Sequence, residues 1–303
     1  MLTKLRFIAA ACTFGMLACS SSPSPGPTPP SPDAATPEAP LTTAPNDARG
    51  GRLYDKWSKE TSTDLEPGKA GGARGDGTLL NATGDVVDPA GHSYRLKNLF
   101  GWDMRGAEGI YGPAYQNKSY VLSTNLLAQT QSEEELLAWL RAGDEELPAL
   151  AEVLDDAALR DLAAFIAKTQ RGELPGPDQF FTLSAEAPKN YVLVAGGDAA
   201  AGKPAYADSC ASCHGEDGTS IPIDETLSLG AFMRTKAYEG WFKVINGHPG
   251  SPMGREIEFE SGEEAAKITL GIIAALCDRG AYPPLAGQSD VVDGDLRCGA
   301  YLR

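Results

Sequence analysis

The chain has 303 residues, a length that suits about two ordinary domains. Apolar residues make up 42% and charged residues 22%, a balance that excludes a polytopic membrane protein and a wholly disordered chain. The net charge of −15 repels phosphate backbones and argues against nucleic-acid binding.

At the N-terminus, Lys4 and Arg6 precede an apolar stretch from Phe7 to Ala18 that is too short to span a bilayer, the pattern of an export signal over residues 1–18. Met16-Leu17-Ala18-Cys19 resembles the cleavage box of bacterial lipoproteins, in which the cysteine receives diacylglycerol. That resemblance implies lipidation at Cys19 and an exported protein anchored at the periplasmic face of a membrane or at the cell surface. Residues 19–46 hold nine prolines among Ser, Thr and Ala, with Leu41 the only large aliphatic. Nothing there can bury a core. Such a tether extends at about 3.1 Å per residue, a reach on the order of 80 Å.

Beyond the tether, helix signals recur and strand signals are scarce. A short amphipathic piece lies at 133–142. Asp155 or Asp156 can cap a helix with the apolar stripe Leu159, Leu162, Ala163 and Ile166, ending at Gly172. Gly172, Pro175, Gly176 and Pro177 then break the chain, and a short apolar run, Tyr191 to Val194, follows. Another amphipathic piece covers 236–246. Ser261 and Glu264 form a capping box, with Ala265, Ile268, Ile272, Ile273 and Leu276 at helical spacing behind it. The expected fold is all-α with long loops, divided into a domain over 47–172, a linker over 173–195 and a domain over 196–303, with separate cores.

Four of the six cysteines lie in the last hundred residues. Cys210-Ala211-Ser212-Cys213-His214 is the pattern C-x-x-C-H, the attachment site of c-type haem. Two thiols one helical turn apart can add to the two haem vinyl groups, and the next residue's imidazole then reaches the iron. A thioredoxin-like pair would need a strand-helix context, and a zinc site would need further Cys or His at matched spacing. Around the motif, Gly197-Asp198-Ala199-Ala200-Ala201-Gly202-Lys203, then Tyr206, then Gly215-Glu216-Asp217-Gly218 resemble the first helix and haem loop of class I cytochrome c domains. The resemblance implies one covalent haem c, His214 as one axial ligand, and a methionine on the opposite iron face. Gly247-His248-Pro249-Gly250-Ser251-Pro252-Met253 is similar to the family's methionine loop, which assigns Met253, although Gly254 stands where the family usually has proline. His248 on the same loop and Met233 before the helix are the competing ligands. Trp241 and Phe242 are expected on the haem edge. Cys277 and Cys298 remain as an even pair in an oxidising compartment, expected to form a disulfide that pins the tail.

An internal repeat links the two halves. Arg95 to Asp103 can be laid over Ser209 to Asp217, which puts Leu96 on Cys210, Leu99 on Cys213 and Phe100 on His214, while Gly101 and Asp103 match Gly215 and Asp217. Gly50 to Trp57 looks like the opening helix of cytochrome domains, and Leu147-Pro148-Ala149 stands where the family would carry Met-Pro-Ala. The first half thus reads as a cytochrome-like domain whose four haem positions, Leu96, Leu99, Phe100 and Leu147, have become apolar, with side chains refilling the pocket.

The expected function is a membrane-anchored c-type cytochrome that passes single electrons to and from redox partner proteins, with no substrate turnover of its own. A haem-based sensor of a small ligand and a haem subunit of a larger oxidoreductase are the alternatives.

Overall fold

The computed structural model of the protein describes residues 43–62 and 95–303. The export signal, Cys19 and most of the tether lie outside these residues. No helix among the described residues is long and apolar enough to cross a membrane.

The described chain is mostly helical. Helix α1 (Asp47–Glu60) starts at Asn46, whose side chain accepts from the Arg49 amide. A five-residue α2 (Leu96–Phe100) precedes α3 (Glu133–Ala142), which opens with a full capping box between Ser132 and Glu135. The carboxylate of Asp155, the nearer of the two expected caps, accepts from the Ala158 amide and starts α4 (Asp156–Gln170). Its expected stripe of Leu159, Leu162, Ala163 and Ile166 is buried. Helices α5 (Ala199–Ser209) and α6 (Ala211–His214) follow, then α7 (Leu229–Asn246) and α8 (Gly262–Leu276). Ser261 caps α8 by accepting from the Glu264 amide, while the Glu264 carboxylate takes the amide of Glu260, so the expected box is shifted by one residue.

Two close helix crossings organise the molecule. α1 packs on α4, and α5 packs on α8. Each crossing has a glycine at the contact: a Cβ on Gly50 would lie 2.0 Å from the Asp161 carbonyl oxygen, and one on Gly202 would lie 1.9 Å from that of Gly271. Only a residue without a side chain permits backbones this near. Helix α3 packs on α4, α7 packs on α8, and α1 also packs on α7.

That last contact corrects the expectation of separate cores. The described residues belong to one compact unit, and one hydrophobic cluster runs through both halves. The Phe242 ring lies 5.6 Å from Tyr54, 5.2 Å from Trp102 and 5.5 Å from Phe165, all in the first half. The sequence reading expected Phe242 on a haem edge and did not indicate these partners. The segment read as a linker also contributes. It holds an antiparallel hairpin of β1 (Phe181–Leu183) and β2 (Tyr191–Leu193), with Phe181 opposite Leu193 and Leu183 opposite Tyr191. Phe180 stacks on Trp241 with ring centres 4.7 Å apart, and the buried Tyr191 ring packs on Tyr238.

Cys277 and Cys298 form the expected disulfide, with their Cα atoms 6.0 Å apart. The tail has a second pin: the fully buried Arg234 donates to both carboxylate oxygens of Asp290 and to the carbonyls of Leu276 and Tyr282.

Candidate functional site

The C-x-x-C-H residues sit where one helix stops and another begins. Asp198 caps α5 by accepting from the amides of Ala200 and Ala201. At Cys210 the backbone leaves helical geometry (φ −121°, ψ −34°), and α6 continues as a single turn in which the Cys213 and His214 amides both donate to the Cys210 carbonyl. This turn brings both thiols to the same stretch of backbone. Neither is in a disulfide; Cys210 is half-buried and Cys213 exposed. Burial, with Glu256 and Cys213 nearby, pushes the Cys210 thiol up to about 11, so it is held as a thiol.

His214 is only 8% exposed, and burial lowers its pKa, which favours the neutral imidazole that a metal requires. Its Nδ1 is buried without a hydrogen-bond partner among the described residues. Gly215 closes α6 at φ +81°, and its carbonyl accepts from the Tyr206 hydroxyl at 2.6 Å. Asp217 then accepts from the amide and hydroxyl of Thr219, which tightens the loop behind the motif.

The second element is the loop after α7. Gly247, at φ +86°, ends the helix. The loop closes on itself because the His248 amide donates to the Met253 carbonyl at 2.9 Å. Ser251 braces it, donating to the His248 carbonyl and accepting from the Met253 amide. Met253 is half-buried. His248 is exposed, but its Nδ1 lies 3.0 Å from the Lys243 ammonium. Loss of solvent around the inner side of the ring and the neighbouring ammonium hold His248 down to about 4. One of its two ring nitrogens is therefore already engaged. Glu256, three residues after Met253, adds a negative charge that helps to raise the Cys210 pKa. Met233 is packed inside α7, its sulfur only 2.1 Å from where a Cβ on Gly240 would lie, and so serves the core.

Of the two aromatics expected on a haem edge, Phe242 is turned into the first half. Trp241 stacks on Phe180, and its Nε1 is buried without an acceptor among the described residues. Those residues contain no group of three or more His, Cys, Asp or Glu side chains able to hold a bare metal ion, so nothing joins Cys210 and Cys213 in a zinc-type cluster.

The first half repeats the local geometry of the second. Asn46, Gly50 and Tyr54 play the cap, crossing and hydroxyl-donor parts that Asp198, Gly202 and Tyr206 play in α5. Tyr54 donates to the Gly101 carbonyl, and Gly101 ends α2 at φ +78° and ψ 165°, against +81° and 162° at Gly215. Gly143 closes α3 at φ +66° and ψ −172°, against +86° and −169° at Gly247. The next match is in the loops. The Asp144 amide donates to the Leu147 carbonyl as that of His248 does to Met253, both at 2.9 Å. Leu96, Leu99, Phe100 and Leu147 are all buried, at no more than 2% exposure. Phe100 packs against Trp139, with ring centres 6.1 Å apart.

Sequence reading missed the ionic cluster between the halves. Asp55 is buried between the ammonium groups of Lys97 and Lys243, and Lys97 sits 3.9 Å above the Trp102 ring. No local signal marked it, since the helix neighbours of Asp55 include Arg52, Ser58 and Lys59. Compared with protein-family models, curated proteins and solved structures, the chain shows no match.

Proposed function

We propose that this protein is an exported, lipid-anchored c-type cytochrome that carries single electrons through one covalently bound haem. The observation that carries the reading is the one-turn helix α6, with an unbridged thiol at its N-cap, another at its third residue and a buried imidazole at its end.

The residues present fit the group. Cys210 and Cys213 would hold the macrocycle through thioethers, and His214 would supply a nitrogen to the iron. At the motif itself, His214 Nδ1 is a buried polar atom without a partner among the described residues. Met253 is the proposed second iron ligand, because it is half-buried on a loop closed by hydrogen bonds and that loop is similar to the methionine loop of class I cytochrome c domains. His248 would be the replacement if Met253 is not bound. When bound, the group supplies a one-electron Fe(III)/Fe(II) couple.

The chain's own contribution is electrostatic and mechanical. Burial lowers the His214 pKa, which favours the neutral ring. The Tyr206–Gly215 hydrogen bond fixes the turn that follows it. The tether of residues 19–46 would allow the folded part to reach partner proteins from a membrane anchored at Cys19. In the first half, Leu96, Leu99, Phe100 and Leu147 would occupy positions that hold haem in the second.

A potentiometric titration of the exported protein tests the reading. A one-electron Nernst curve, with only slow carbon monoxide uptake by the reduced protein, is expected. Rapid uptake by the unmutated protein would favour a ligand sensor, which needs an open iron position.

A further inference from the structure

The loop from Gly247 to Arg255 is held by helix α1, which belongs to the other half of the molecule. Asp47, at the start of α1, pairs with Arg255 at 2.7 Å, and Arg255 also donates to the Ile245 carbonyl at the end of α7. Gly51 packs against Asn246, and Arg52 donates to the Asn246 carbonyl at 3.1 Å. Asp55 binds Lys243, whose ammonium also meets His248 Nδ1. At the far end, Glu60 accepts from the Gly250 amide at 3.2 Å while holding Arg52 through its other oxygen. Gly250 itself lies against the Lys59 backbone, at φ +66°. Asp47, Gly51 and Asp55 are spaced four apart, so they lie along one face of the helix.

These contacts bracket the loop on both sides of Met253. The corresponding loop in the first half, closed by Asp144 and Leu147, shows a different support. There the Asp144 carboxylate accepts from the amides of Glu146 and Leu147 and from Trp139 Nε1, all within its own half.

We propose that α1 of the first half is an intramolecular clamp on the Gly247–Arg255 loop, with Asp47, Asp55 and Glu60 as positioning residues that hold Met253 in place. The proposal rests on Met253 as the ligand, and it gives the first half a role in resisting departure of the sixth ligand. Loop opening is a local event whose free energy depends on how many contacts must break. Here the contacts come from a helix secured elsewhere, by the crossing with α4 at Gly50 and by the Asp47–Lys168 ion pair.

The experiment uses the full exported protein and compares Glu60→Ala combined with Arg255→Gln, the conservative Glu60→Gln, and Arg49→Gln. The last removes an ion pair on the same helix that does not touch the loop. Two readouts are followed: amide hydrogen exchange over residues 247–255, and the rate of carbon monoxide uptake by the reduced protein. The double variant should speed both by at least about tenfold. Glu60→Gln keeps an acceptor for the Gly250 amide and should stay near the unmutated protein, as should Arg49→Gln. Unchanged loop exchange in a folded double variant overturns the clamp. Equal loosening by Arg49→Gln also overturns it, since the effect is then general destabilisation. Faster exchange without faster carbon monoxide uptake overturns Met253 as the residue served. If the protein holds no haem, the proposed function falls, while the exchange comparison still decides the clamp.

Discussion

The Tyr54 hydroxyl donates to the carbonyl of Gly101, 47 residues later, at 2.6 Å, and both partners are buried. Tyr206 makes the same bond to Gly215 over nine residues, at the same distance. In each half a tyrosine on the opening helix thus fixes the left-handed glycine that ends a one-turn helix.

Replacing Tyr54 by Phe leaves the Gly101 carbonyl buried without that donor, a loss of about 1–3 kcal/mol. Denaturant unfolding of Tyr54→Phe should show it. Tyr206→Phe should cost less, since its site is only partly buried, but it should disturb the absorption spectrum of the proposed haem, which Tyr54→Phe should not.

Phe100→Ala should destabilise the protein by about 3–5 kcal/mol, the usual range for truncating a buried aromatic. Because one hydrophobic cluster runs through both halves, the lost stability should appear in a single transition. Calorimetry showing a low-melting first half beside an unshifted second half would mean that the shared core does not couple them.

The two ends of the molecule differed in how well their sequence could be read. Helices α4 and α8 were visible because a capping residue precedes a regular apolar stripe, and the disulfide because two cysteines were left over. The hairpin was not. Three-residue strands among Gly and Pro carry too few alternations to show a period of two. Helix α7 begins seven residues before the amphipathic piece at 236–246, and its backbone breaks at Lys236, so the pattern on either side is out of phase. Lys243 and Asp55 are 188 residues apart. Nothing local to either residue indicates that pairing. Within the motif the thiols and His214 were legible from spacing alone, whereas the support of the Met253 loop by α1 depends on the tertiary fold.

Asp103 gives a pH signature. Burial raises its pKa to about 6 despite hydrogen bonds from the backbone, including the Ile110 amide, whereas an unfolded aspartate titrates at about 4. The fold therefore prefers the protonated form: this contribution is full below about pH 4 and is lost as pH rises through about 6. Stability measured from pH 4 to 7 should decline less in Asp103→Asn than in the unmutated chain. Asp55 acts in the opposite sense. Burial opposes its ionisation, but Lys97 and Lys243 outweigh that and hold it below the usual carboxylate range, so its contribution is lost on acidification. An identical slope in Asp103→Asn would place Asp103 in a solvated setting.

Met253→Ala should open the sixth iron position. The weak near-infrared band of a methionine-ligated ferric haem should vanish, and carbon monoxide should bind the reduced form. His248→Ala should leave the band in place. If instead the band survives in Met253→Ala, the ligand is another residue; if the unmutated protein lacks it, His248 is the next residue to replace.

The central claim is that two halves of matching local geometry carry one haem between them, attached where the thiols are and not where leucines have replaced them. Pyridine haemochrome absorbance set against protein concentration, on the exported full-length chain, measures this directly. The account predicts one haem per chain, falling to none when Cys210 and Cys213 are both replaced by alanine. A ratio near two, or haem retained covalently without those thiols, would contradict it.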